Sequence, residues 1–232
     1  MRSEGMSGHN KHGLKSKIFV HLLNLAVTVA LRPKIVWQDR QLKKLAGKEP
    51  FIFVANHTHH FDGVFGAAVA KKFKPYSVVS RKWYDKDGYG KFIKLTKSIP
   101  IDLDTLDASW FQTGEKLIAQ GESVLIFPEG AIAREGKMLD FKSGAGLLSA
   151  KTGARIIPIA IYGRYKMFFG KRQRALVGRA IESRCPENMR HSKYAKELMH
   201  TSQNEVRRLY GELEKKYGRT GTYFEETYAD KC

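Results

Sequence analysis

From residue 34 onward the chain alternates short apolar runs with amphipathic stretches. FIFVA at 51–55, YSVVS at 76–80, SVLIFP at 123–128 and IIPIAI at 156–161 read as strands, the last two plainly buried. KIVWQD at 34–39 is a short first strand, SIPID at 98–102 an edge element, and RALVGRAI at 174–181 a weaker strand. LAGKEP, just before residue 51, reads as a turn. Between the strands the spacing predicts helices. One runs over 62–72, with Val64, Ala67, Ala68 and Ala70 on or near its packed side. A second runs over 83–97, weakened in its first half by Gly88 and Gly90. A third is capped by Asp104 or Thr105, carries Leu106, Trp110, Leu117 and Ile118 on one face, and stops at Gly121. The last is amphipathic through Val206, Leu209, Leu213 and Tyr217.

Strands alternating with helices predict an α/β fold, a mostly parallel central sheet covered by helices. No internal repeat or Pro/Gly/Ser-rich linker divides residues 34–232, which read as one domain ending in the amphipathic helix. Residues 1–33 form a basic N-terminal segment around the apolar run IFVHLLNLAVTVAL at 18–31. As a helix that run is about 21 Å long, short of the roughly 30 Å hydrocarbon core of a bilayer. His21, Asn24 and Thr28 fall on one polar stripe, and Lys11, Lys15, Lys17, Arg32 and Lys34 flank the run. A membrane-interface helix fits this pattern best. A buried core helix and a signal peptide are the alternatives.

Composition adds three constraints. With 42% hydrophobic and 28% charged residues the chain is neither disordered nor a multi-span membrane protein. A net charge of +18 calls for an anionic partner: nucleic acid, an anionic membrane or a phosphorylated substrate. The two cysteines, Cys185 and Cys232, lie near the C-terminus and suggest a reducing compartment rather than a disulfide framework.

Two polar motifs follow predicted strands. ANHTHHFDG follows 51–54 and PEGAIAREG follows 124–127, at the sheet edge where α/β proteins bind ligands. The first holds His57, His59, His60 and Asp62, a dense set of metal-ligand types. It lacks the HxHxDH order of metallo-hydrolases, because Phe61 and Asp62 stand where aspartate and histidine would be needed. The acid–base alternative pairs a histidine near neutral pKa with a carboxylate that fixes its tautomer. On a continuous helix residues five apart sit about 140° off a shared face, so His57 and Asp62 meet only if the chain turns between them. The bland alternative is a polar loop in which Asp62 or Thr58 caps the helix. In the second motif Glu129 and Gly130 are followed by Arg134, Lys137 and Lys142, a glycine turn with cations suited to phosphate. His59 and His60 read as packed or solvated side chains.

Together the two stretches resemble the glycerolipid acyltransferase family, of the bacterial 1-acyl-glycerol-3-phosphate acyltransferase type. Asn56, His57 and Asp62 match its N-H-x4-D signature, and Phe127, Pro128, Glu129 and Gly130 match its F-P-E-G block. EGKMLDFKSGAG and IIPIAI look like its later blocks, so the likeness covers about residues 34–181. The resemblance implies that His57 is a general base oriented by Asp62, and that Glu129 and Gly130 shape the acceptor site. Acyl-CoA or acyl-carrier protein would donate the acyl chain to a lysophospholipid with no other cofactor, no metal and no covalent acyl-enzyme. It also implies work at an anionic membrane surface, on the cytoplasmic face, which accounts for the basic charge; no nucleic-acid-reading motif is present. Ala131 and Ile132 stand where the family often continues F-P-E-G with Thr-Arg, and Leu103 where it often has arginine. Arg134, Lys82, Lys97 and Arg81 are the candidate replacements, and another lysolipid or an aminolipid is the alternative acceptor. A non-catalytic lipid-binding module is the alternative to an enzyme.

Overall fold

A computed structural model describes residues 33–105, 108–133, 138–163, 165 and 172–218, together with helical positions 18, 21, 22, 25, 26, 29 and 30. In chain order the elements are β1 (Lys34–Trp37), a 3-10 turn (Gln41–Leu45), β2 (Ile52–Ala55), α1 (Asp62–Val69) and β3 (Tyr76–Ser80). Then come α2 (Arg81–Tyr84), α3 (Tyr89–Leu95), β4 (Ser98–Ile101), α4 (Ser109–Ala119) and β5 (Val124–Ile126). The chain continues through α5 (Gly144–Thr152), β6 (Ile156–Tyr162) and β7 (Arg174–Val177), and ends its described part in α6 (His191–Tyr217). The strands form one sheet in the order β1-β7-β6-β2-β5-β3-β4. The five from β6 to β4 are parallel; β7 is antiparallel to β6, and β1 runs parallel to β7. The expected mostly parallel sheet is therefore present.

Every residue of β2, β5 and β6 is buried, as a parallel sheet covered on both faces requires. Alternation sorts their side chains. Phe51, Phe53 and Ala55 join Phe65, Val69 and Phe73 on the α1 face. Ile52 and Val54 join Leu117, Leu148, Leu198 and Val206 on the face covered by α4, α5 and α6.

Three helical expectations change, and one helix is added. The helix expected over 62–72 stops at Val69. The one expected over 83–97 is two short helices, because Gly88 takes φ +77° and a Cβ at Gly90 would run into the Tyr84 carbonyl oxygen. The helix expected from Asp104 or Thr105 starts at Ser109 instead; Asp102 Oδ1 accepts the Asp104 N–H at 3.0 Å, which holds that stretch in a turn. Leu106 lies outside the described residues. The added helix is α5, in a stretch where Gly144 and Gly146 argue against a helix locally. Packing overrides propensity there: a Cβ on Gly146 would meet the Ala195 carbonyl of α6 and sit 2.8 Å from Met199 Cγ.

Candidate active site

Strand β2 ends at Ala55, and the side chain of Asn56 takes over its next rung. Buried Asn56 accepts the Ile161 N–H through Oδ1 at 2.7 Å and donates through Nδ2 to the Ile161 carbonyl at 3.0 Å. Its amide thus copies a backbone pair across to β6 and leaves its own main chain free to turn. His57 is the first residue of that turn.

His57 is held by its backbone as firmly as by its ring. Its N–H donates to Glu129 Oε1 at 2.6 Å, and its carbonyl accepts the Ala133 N–H at 3.0 Å. The imidazole lies against Phe127 with 4.6 Å between centroids. Nδ1 stands 3.0 Å from Asp62 Oδ2. An ionised carboxylate only accepts, so Nδ1 carries the proton and Nε2 keeps its lone pair. The His57 side chain is 21% exposed while that of Asp62 is fully buried. The imidazole is thus partly open to solvent while the carboxylate beside it is not.

The five-residue separation is bridged because residues 57–61 are not helical. Asp62 is the first residue of α1, with Phe61 at the N-cap. Its carboxylate folds back over the incoming loop, where Oδ2 accepts the N–H groups of Thr58 at 2.5 Å and His59 at 2.7 Å. The carboxylate therefore orders the histidine loop as well as the ring. Oδ1 accepts the hydroxyl of Tyr165 at 2.5 Å. Burial, and then the charge of Asp62, push the Tyr165 phenol well above its ordinary range, so it stays a donor.

Glu129 is 3% exposed, and its second oxygen accepts the Leu139 N–H at 2.7 Å. Both oxygens are thus engaged with backbone, and the side chain's visible work is to join the histidine loop to residue 139. Burial pushes its carboxyl up to about 7, against the pull of those two N–H donors. Gly130 takes φ +70°, and the Lys142 side chain lies across it, so a Cβ there would be 2.7 Å from Nζ. Lys142 also donates its N–H to the Pro128 carbonyl at 2.9 Å.

The remaining sequence candidates are spread out. Arg134 lies outside the described residues, as does Lys137. Lys82 is exposed on α2, next to Trp83, whose ring centroid is 5.0 Å from that of His60. Lys97 is engaged with Glu122 at 2.8 Å and lies over Tyr76; Arg81 approaches Asp85 at 4.0 Å. His59 packs on Tyr165 and Phe61, and burial lowers the pKa of both His59 and His60. Among the described residues no group of three His, Cys, Asp or Glu is placed to hold a metal ion. Tyr165 is the site residue that sequence reading missed. It lies 103 residues from its partner, in a stretch with no periodic signal.

A parallel α/β sheet with a His–Asp pair at the carboxyl end of β2 and a buried glutamate after β5 defines a class, and the chain belongs to it. Residues 36–162 match the Acyltransferase family model, so this is a member of the acyltransferase family. Among its relatives, a 1-acyl-sn-glycerol-3-phosphate acyltransferase of Chlamydomonas reinhardtii is 32% identical over 117 residues, covering 50% of this chain and 35% of the algal protein. The 1-acyl-sn-glycerol-3-phosphate acyltransferase of Bacillus subtilis is 23% identical over 139 residues, covering 60% and 68% of the two chains. The chain thus spans about a third of the algal relative, and the match to a chloroplast relative from Brassica napus covers 15% of that protein. The crystal structure of PlsC, a 1-acyl-sn-glycerophosphate acyltransferase from Thermotoga maritima, shares the fold. Its TM-score is 0.64 at 19% identity, covering 86% of this chain and 79% of that one.

Proposed function

We propose that the protein transfers an acyl chain from acyl-CoA or acyl-carrier protein to the hydroxyl of a lysoglycerolipid, 1-acyl-glycerol-3-phosphate first among them, giving phosphatidate. The observation that carries this reading is the partly exposed His57 ring with Asp62 on Nδ1 at 3.0 Å. Nε2 accepts the proton of the acceptor hydroxyl as its oxygen attacks the thioester carbonyl. The tetrahedral intermediate then collapses, the C–S bond breaks, and the departing thiolate takes the proton from the imidazolium. The buried Asp62 stabilises that cation while it exists. The thioester is already activated, so neither a serine nucleophile nor a Lewis acid is required. The names of the relatives support the acceptor. Ile132 and Leu103, where the family often has arginine, favour a second reading in which another lysolipid or an aminolipid is acylated.

The same reading places the protein at a membrane surface, peripheral or monotopic, on the cytoplasmic face. Ile18, Leu22, Leu25 and Val29 are each 51–58% exposed, and their spacing puts them on one helix face. Among the described residues no helix is long and apolar enough to cross a membrane.

Purified protein and His57→Ala, each given one acyl-CoA and a panel of lysolipids, test the proposal. Transfer to lysophosphatidate that falls by at least about 10²-fold in the variant is the expected result. Transfer to other lysolipids alone would reassign the acceptor. Lipid binding without turnover, from either donor, would make this a binding module.

A further inference from the structure

We propose that Tyr165 is a positioning residue for the His57–Asp62 pair: its hydroxyl, donating to Asp62 Oδ1 at 2.5 Å, holds the second carboxylate oxygen while Oδ2 faces Nδ1 of His57, and so moderates the negative charge that Oδ2 presents to the ring. The inference rests on the reading of His57 as the base, and its first readout does not need turnover. Asp62 Oδ2 is shared by the His57 ring and the N–H groups of Thr58 and His59. With the Thr58 hydroxyl at 3.4 Å, four donors converge on Oδ2 and keep it beside the ring. Tyr165 engages the other oxygen, so the carboxylate is held at both ends and its charge is shared between the two sides. Tyr165 suits the task because its ring is itself wedged, tilted against His59 at 4.9 Å and edge-on to Phe65 at 5.9 Å between centroids. It reaches Asp62 from beyond β6, so it ties the far side of the sheet edge to the histidine loop.

The titratable groups facing this pair are few. His57 and His59 come from the loop and Glu129 from the turn after β5, with His60 further out; Gln173, before β7, is neutral. None of the three histidines nor Glu129 can replace the phenol as a donor to Oδ1 without leaving its own contacts. Removal of the hydroxyl leaves buried negative charge less satisfied, and Asp62 then holds the proton on the imidazole more strongly.

Tyr165→Phe keeps the ring and deletes only the donor. In an NMR pH titration of the resting protein, the His57 imidazole of the variant should titrate about one unit higher, a tenfold change in proton affinity. The acid limb of kcat/KM should move the same way, with kcat down about tenfold and both KM values within about twofold. Tyr165→3-fluorotyrosine, a stronger donor, should move the titration in the opposite direction. A His57 titration unmoved in both variants overturns the proposal, and so does a fall in melting temperature with the titration unchanged, which would reduce Tyr165 to packing. If His57→Ala keeps its activity the general-base reading fails, whereas the resting titration still decides whether Tyr165 positions the pair.

Discussion

Asp62 and Glu129 are both buried carboxylates, and they hold the same histidine from opposite ends. Asp62 takes the ring and Glu129 takes the backbone N–H. The divided labour makes separate consequences. Glu129→Gln replaces one acceptor oxygen by an NH₂ that faces a backbone N–H, and an unsatisfied buried donor costs about 1–3 kcal/mol. Urea unfolding at neutral pH should show a loss of that size. The gap should also depend on pH. The wild-type carboxyl is raised from 4.5 to about 7, so between those values the folded state binds more protons than the unfolded chain. Stability from this group therefore falls as pH rises toward 7, and the wild type should gain on the variant as pH is lowered from about 7 to about 5. His59 and His60, with lowered pKa values, oppose this trend because protons favour their unfolded forms below about 6.5. Their effect is common to both proteins and cancels in the difference.

Helices α5 and α6 show packing overriding local preference. A nine-residue helix with glycine at its first and third positions is poor by propensity, yet it is buried through Ala145, Gly146, Leu148, Ser149 and Ala150. Gly146 is needed because α6 passes so close that any side chain would strike the Ala195 carbonyl. Gly146→Ala should therefore destabilise the protein by about 1–3 kcal/mol through overpacking, although alanine is the better helix former. A lower urea midpoint with an unchanged slope is the expected measurement; a raised midpoint would mean that α5 and α6 separate freely. Asn56 shows the reverse relation, since a side chain there extends a ladder that the backbone has left.

Lys and Arg number 41 against 23 acidic residues, and the apolar stripe Ile18, Leu22, Leu25, Val29 faces outward. Charge and stripe together should bring the protein to anionic vesicles. Sedimentation with phosphatidylglycerol vesicles should exceed that with phosphatidylcholine and should weaken between about 0.05 and about 0.5 M salt as charge is screened. The double substitution Leu22→Asp, Leu25→Asp should reduce what remains at high salt, because it removes the apolar part. Equal binding to both vesicle types would assign the charge to another partner.

The strands and their alternation with helices were readable from the chain, because period-two and buried runs are local, whereas the His57–Asp62 pair was implied by the resemblance of its motif and its five-residue spacing left the contact open. The contacts that Glu129 and Tyr165 make were not readable, although Glu129 itself was a candidate. Glu129 meets His57 across 72 positions and Tyr165 meets Asp62 across 103. Periodicity carries no information about which loops a sheet order of β6-β2-β5 brings to one edge. Even the nearer pair needed the fold: a helix would have turned Asp62 away from His57, and it is the non-helical loop, held by Asn56, Glu129 and Asp62 itself, that brings carboxylate and imidazole together.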